Sequence, residues 1–158
     1  MTVAAWRITR AEFAGSAFTG EGAARFPGRW NAAGMPVVYL SGNLSLAVLE
    51  ILVHIESVEA LERFVCIPVE FAAAEVTRVD AARLPGGWRA FPASESTRRL
   101  GADWHRGGSS VVLGVPSAVI PEERNYLVNP GHPHFARIRP GVARPLPFDS
   151  RLLKHLPG

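Results

Sequence analysis

The sequence predicts an α+β fold in a single compact domain, and three observations predict it. Short apolar runs recur at residues 3–9, 36–41, 63–71, 75–80 and 110–120, several of them rich in valine and isoleucine, at strand length. Only two segments, at about 43–56 and 94–106, carry helical spacing. A chain of 158 residues with 47% apolar and 20% charged content has the composition of one globular core, and no linker or repeat divides it.

Taken in order, residues 3–9, with Trp6 and Arg7, read as the opening strand. Residues 15–34 contain Gly15, Gly20, Gly22, Gly28 and Gly34 and read as one irregular segment. A loop of that length in a compact domain is usually functional. Residues 36–41 (PVVYLS) are a second strand, after which Ser41 or Asn43 caps a helix, NLSLAVLEILVHIE. Leu44, Ala47, Val48, Ile51, Leu52 and Ile55 line one face, and Leu46, Leu49 and Val53 make the opposite face apolar too. That pattern predicts a long helix, buried nearly all round.

Residues 63–71 and 75–80 are further strands, and Pro85-Gly86-Gly87 is a turn. Residues 94–106 form a helix opened by Pro92 and Ser94, with Leu100 and Trp104 one turn apart. Residues 110–120 and 126–128 pair across the turn at 121–125, and the proline-rich C-terminal part wraps the surface. Residues 1–158 are thus expected to be one domain.

Charge and cysteine content narrow the function classes. Of 17 basic residues all but Lys154 are arginine, yet the net charge is only +3 and no dense basic run occurs. This favours an anionic small molecule or an acidic protein partner over a nucleic-acid surface. Cys66 stands alone within an expected strand, so it reads as a small buried hydrophobe and has no partner for an internal disulfide. No apolar run has the length of a signal peptide core or membrane span, and the expected location is the cytoplasm.

Glu50 is the first functional candidate. It lies one helical turn before His54 in an otherwise apolar helix, and a buried carboxylate is costly unless it is paired or faces a cavity. General motifs add little. Gly20-Glu21-Gly22 begins a GxG, but Arg25 fills the third glycine position. There is no Walker loop and no GxSxG elbow. His132-Pro133-His134 reads as a loop turn, and no metal site is assigned.

Several segments together resemble the RES domain family. They are Gly28-Arg29-Trp30-Asn31, Val37-Val38-Tyr39-Leu40-Ser41 and Ser45-Leu46-Ala47-Val48-Leu49-Glu50 in the first half. In the second half they are Leu100-Gly101 with Trp104, Val115-Pro116-Ser117-Ala118-Val119, and Glu123-Arg124-Asn125-Tyr126-Leu127-Val128-Asn129-Pro130. His132-Pro133 with Phe135, and Phe148-Asp149 with Arg151, complete an ordered set that spans nearly the whole chain. The arginine, glutamate and serine that name the family correspond to Arg29, Glu50 and Ser117. The chain departs from the family pattern at His134, where aspartate is usual, and at the small Gly131.

The resemblance implies a fold similar to the ADP-ribosyltransferases and the toxin role in a bacterial type II toxin–antitoxin system. It implies an enzyme that cleaves the nicotinamide–ribose bond of NAD, as an NAD phosphorylase or glycohydrolase. NAD is then a substrate, phosphate a candidate co-substrate, and no further cofactor is required. The implied partner is an Xre-like helix-turn-helix antitoxin, with DNA reached only through it and no membrane contact. A homodimer within that complex is left open. Two alternatives stand beside this one: transfer of ADP-ribose to a cellular protein, and a non-catalytic partner of a helix-turn-helix regulator.

The residue types suit such chemistry on their own terms. Cleaving the bond builds positive charge on the ribose carbon, which a fixed carboxylate such as Glu50 stabilises. Arg29 offers a planar fork for diphosphate or ribose, and Arg7 is a second phosphate candidate. Tyr39 can stack on nicotinamide, and Ser117 can donate one hydrogen bond to substrate. Each has a plainer reading: an arginine-paired Glu50, ion pairs for Arg29 and Arg7, strand packing for Tyr39 and a turn for Ser117. Asn129 before Pro130 reads as a turn former.

Overall fold

The computed structural model describes residues 1–55 and 57–154. One eight-stranded sheet organises the chain, with strand order β4-β5-β6-β2-β1-β3-β7 and β8 also pairing with β3. The strands are β1 (Thr2–Arg10), β2 (Val38–Ser41), β3 (Phe64–Ala72), β4 (Val76–Arg78), β5 (Val112–Pro116), β6 (Arg124–Val128), β7 (Arg139–Pro140) and β8 (Arg144–Pro145). The α-helices are α1 (Glu21–Arg25), α2 (Leu44–Leu52) and α3 (Glu95–Gly107). Among the described residues only β4 and β5 pair in parallel. Among the described residues no helix is long and apolar enough to cross a membrane.

Strand alternation sorts the core into layers. Val38 and Leu40 of β2, Val112 of β5 and Tyr126 and Val128 of β6 pack with Phe71 on one face. The opposite face holds Leu113, Val115 and Leu127, covered by Trp30 and by Trp104 of α3. Beside it, α2 lays Ala47 on Ile8, Cys66 and Leu146. Cys66 is fully buried, as a small hydrophobe should be. At the far edge of the sheet the proline-rich tail adds β7 and β8, each pairing two residues with β3.

The structure corrects four expectations. The helix expected at about 43–56 ends at Leu52, and Glu56 lies outside the described residues. It is also not buried all round: Leu46 and Ala47 are buried, whereas Leu49 is 38% and Val53 58% exposed. Apolar periodicity reports that a face avoids water, not what covers it. The segment at 15–34 is not wholly irregular, because it contains α1. Finally, β4 starts at Val76, since Glu75 turns inward in a short 3-10 turn and pairs with Arg137 and His134. Those hydrogen bonds hold the Glu75 carboxyl below the usual carboxylate range, Arg137 contributing most.

Helix α3 fixes the loop that follows α1. Thr97 Oγ1 donates to the Arg29 carbonyl at 2.8 Å, and Arg98 Nε donates to the Gly28 carbonyl at 3.3 Å. Gly101 touches the same loop so closely that a Cβ would fall 1.6 Å from the Trp30 carbonyl oxygen.

Two helix glycines should therefore respond in opposite ways. Gly101→Ala is expected to destabilise by at least about 1–3 kcal/mol through overpacking. Gly107→Ala, where a Cβ meets nothing within 4 Å, should be neutral or gain up to about 1 kcal/mol. Urea denaturation of both variants checks this; equal midpoints would mean that the loop and helix do not touch as described.

Candidate functional site

A cleft of about 800 Å³ opens on the face that carries α2 and the 22–30 loop. Its floor exists because β1 and β2 share a single paired position, Trp6 with Ser41. Beyond that position the seam is filled by the Arg7 side chain, which hydrogen-bonds carbonyls of both strands. Nη1 donates to Ile8 O at 3.2 Å and to Tyr39 O at 3.5 Å, and Nε donates to Ala17 O at 3.2 Å. Burial lowers its pKa to about 10. The plainer reading of Arg7, an ion pair, is not what the structure contains: no carboxylate lies within 4 Å of it among the described residues.

One wall is the loop around Asn31. Its fully buried side chain accepts from Gly28 N and Tyr39 Oη, both at 2.8 Å, and donates to Ala23 O at 2.8 Å and to Ala32 O and Met35 O at 3.2 Å. Tyr39 Oη also accepts from Trp30 N at 3.1 Å. A Cβ on Gly28 would lie 2.8 Å from that hydroxyl, so glycine is required there. Burial pushes the Tyr39 phenol well above its usual range, and the ring lines the cleft with its hydroxyl fixed.

Arg29 extends from this wall. Its Nη1 donates to Trp88 O at 2.7 Å and Ala90 O at 2.8 Å, tying the 88–90 segment across the cleft mouth. Desolvation lowers its pKa, Glu50 and Tyr39 act in the opposite sense, and Arg89 adds to the lowering. It makes no ion pair within 4 Å among the described residues, which also removes the plainer reading of Arg29.

Among the described residues, Glu50, on α2, is the only carboxylate that lines the cleft, against Arg7, Arg29, Arg89 and Arg98. It is half-buried rather than buried. Its Oε1 accepts from Ser117 Oγ and from Asn125 Nδ2, both at 2.6 Å. The arginine-paired reading of Glu50 thus gives way to two neutral donors.

Ser117 departs from its expected role. It is fully buried and does not line the cleft. Its hydroxyl proton goes to Glu50, and its oxygen accepts from Val119 N and Ile120 N at 3.1 Å each. With donor and acceptors in use, it orients Glu50 instead of reaching toward a ligand. Asn129 does form a turn, its Oδ1 accepting from Gly131 N at 2.9 Å. In the same loop His134 accounts for a departure from the family pattern: it binds Glu75, far from the cleft lining.

Sequence reasoning brought Arg7, Arg29, Tyr39 and Glu50 to one cleft and missed Asn31, Arg89, Arg98 and Asn125. The preponderance of arginine over lysine was the available signal for Arg89 and Arg98, but nothing in the sequence placed them together. His54, expected beside Glu50 on the helix, lies past its end, exposed, with its ring 6.4 Å from that of Phe91. Phe26, Phe91 and Val53 line the mouth and are 83%, 81% and 58% exposed. Chemically, the cleft suits an anionic ligand with one cation-seeking carboxylate at its centre.

Comparison with known proteins shows the family. The family model of the RES domain matches residues 4–149. The chain is 38% identical to Toxin Res of Photorhabdus laumondii over 94% of its length and 96% of that protein. It is 35% identical to the Prs ADP-ribosylating toxin of a Sphingobium species, over 98% and 99%. A chain of the crystal structure of the M. tuberculosis MbcT–MbcA toxin–antitoxin complex superimposes with a TM-score of 0.74 at 19% identity, covering 92% of this chain and 85% of that one. The likeness at that identity shows a shared α+β fold.

The unpaired arginines give a test that needs no assumption about the reaction. Inorganic pyrophosphate should raise the thermal midpoint of the wild-type chain. Arg29→Ala should bind it more weakly by roughly 1.5–3 kcal/mol, the value of a charge-assisted hydrogen bond. Equal pyrophosphate affinity in both proteins would remove Arg29 from the anion site.

Proposed function

The chain belongs to the RES domain family, and from that premise we propose that it is the toxin of a bacterial toxin–antitoxin pair and degrades NAD in the cytoplasm. The observation that carries the reading is the single oriented carboxylate, Glu50, in a cleft lined by four arginines that have no acidic partner among the described residues. NAD matches it in charge, with a diphosphate at its centre and a cationic nicotinamide at one end.

In this reading the nicotinamide–ribose bond breaks with its electron pair leaving on nicotinamide. Positive charge develops on the ribose carbon, and Glu50 stabilises that charge or holds a ribose hydroxyl. Arg29 and Arg7 hold the diphosphate as a fork and a point of charge, respectively. The Tyr39 ring, fixed through its hydroxyl, is a face for nicotinamide to stack against. Phosphate or water then bonds to the same carbon, giving ADP-ribose 1-phosphate or ADP-ribose. A protein side chain as the acceptor is the second reading, favoured by the identity to the Sphingobium ADP-ribosylating toxin.

The partner belongs to the same proposal. The exposed rim of Phe26, Phe91 and Val53 joins an arginine-lined entrance, a combination suited to an apolar segment with a carboxylate. We assign it to a helix-turn-helix antitoxin that covers the cleft near Arg29 and the glycine-rich loop.

Two outcomes are expected. Purified chain incubated with NAD should release nicotinamide, and Glu50→Gln should lower turnover at least about 100-fold while remaining folded. Products with and without phosphate and cell lysate identify the acceptor. A Glu50→Gln turnover within about threefold of wild type, far short of the loss expected for a charge contact, would refute the role. For the partner, antitoxin and NAD should compete; simultaneous saturating binding of both would sink the occlusion model and leave the enzymatic reading intact.

A further inference from the structure

Asn125 lies at the cleft on β6, opposite Ser41 of β2 and Val115 of β5. Its Nδ2 donates to Glu50 Oε1 at 2.6 Å, while its Oδ1 is buried and accepts no hydrogen bond. The amide cannot relieve that by turning over, because its oxygen would then face the carboxylate oxygen at the same short distance. A buried acceptor left without a donor is destabilising, and such groups call for a reason other than stability.

The reason is visible at Glu50. Ser117, just past the end of β5, and Asn125 of β6 approach the same oxygen, so both bonds load Oε1. Among the described residues Oε2 receives none, and it is not among the buried unpaired atoms, so it is the oxygen presented to the cleft. Ser117 alone leaves the carboxylate free to rotate about its last torsion. A second donor at an angle to the first removes that freedom. We propose that Asn125 is a positioning residue that locks the Glu50 carboxylate with Oε2 turned to the reacting centre, at the expense of its own unpaired oxygen.

The kinetic part of this inference rests on the NAD-cleaving reading; the structural part does not. The charged groups that share the cleft with Glu50 are Arg7 on β1, Arg29 on the loop, Arg89, and Arg98 on α3, with Tyr39 on β2 and His54 beyond α2. All of these remain in place when Asn125 alone is changed. With the Asn125 donor gone, Glu50 Oε1 keeps only the Ser117 hydrogen bond, and the direction of Oε2 is no longer fixed.

The test uses Asn125→Leu and Asn125→Asp in the full chain. Leucine removes both the donor and the orphaned acceptor, so the thermal midpoint should hold or rise. In the same protein the side-chain carboxyl 13C signal of Glu50 should shift at fixed pH as the carboxylate loses its fixed orientation. Turnover of NAD should fall about 10- to 100-fold in kcat with KM near the wild-type value, the loss expected for one hydrogen bond to a charged group. Aspartate keeps the shape but sets a second carboxylate against Glu50, so its kcat should fall at least as far as that of the leucine variant. If wild-type protein turns over no NAD, the proposed reaction fails, and the Glu50 carboxyl signal still decides the positioning role. An unchanged Glu50 carboxyl signal in both variants, or a kcat loss that only follows the folded fraction, would overturn it.

Discussion

A loop without regular structure forms one wall of the cleft, and the buried amide of Asn31 is what makes it a wall. Its five hydrogen bonds satisfy backbone and phenol groups between Ala23 and Tyr39 that would otherwise be closed off from water. Each such group left unpaired would cost about 1–3 kcal/mol. Helix α3 then bears on the same loop through Thr97, Arg98 and the bare surface of Gly101. Arg29 inherits its place from that packing, since its own Nη1 serves the 88–90 carbonyls and no acid restrains it.

The opposite wall is held by a different kind of contact. Asn43 caps α2 by accepting from Leu46 N at 2.8 Å and ties the cap to Glu123 at 2.9 Å. The apolar face of the helix rests on β1 and β2. Glu50 thereby meets the ends of β5 and β6, where Ser117 and Asn125 wait. The result is an anion fixed by neutral donors, with four guanidinium groups around it that bond only to carbonyls where they bond to protein at all. Guanidinium groups without an acidic partner within 4 Å, gathered around one cleft, are what the proposed anionic ligand would need.

The mouth of the cleft repeats the theme in apolar terms. Phe26, Phe91 and Val53 stay in water although the chain has a well-packed sheet on which to bury such groups. Exposed apolar groups beside an anion-seeking cleft mark a surface shaped for another molecule. Function is thus written into this protein as local departures from what folding alone would choose: unpaired arginines, an orphaned amide oxygen and a greasy rim.

The sequence by itself determined the α+β class, most strands, both longer helices and the four residues Arg7, Arg29, Tyr39 and Glu50 that share the cleft. Period-2 and helical spacing, with caps such as Asn43, are local properties, and local properties are legible in a chain. The ordered RES-like segments added which of the polar residues belong together. Only the tertiary structure decided that α2 stops at Leu52 with one side open, because periodicity cannot distinguish a core from a face awaiting a partner. Only it showed Ser117 and Asn125 acting on Glu50 across 67 and 75 residues of chain, and Asn31 rather than Tyr39 at the centre of the loop. Hydrogen-bond direction and strand register set those roles, and neither exists until the strands have paired.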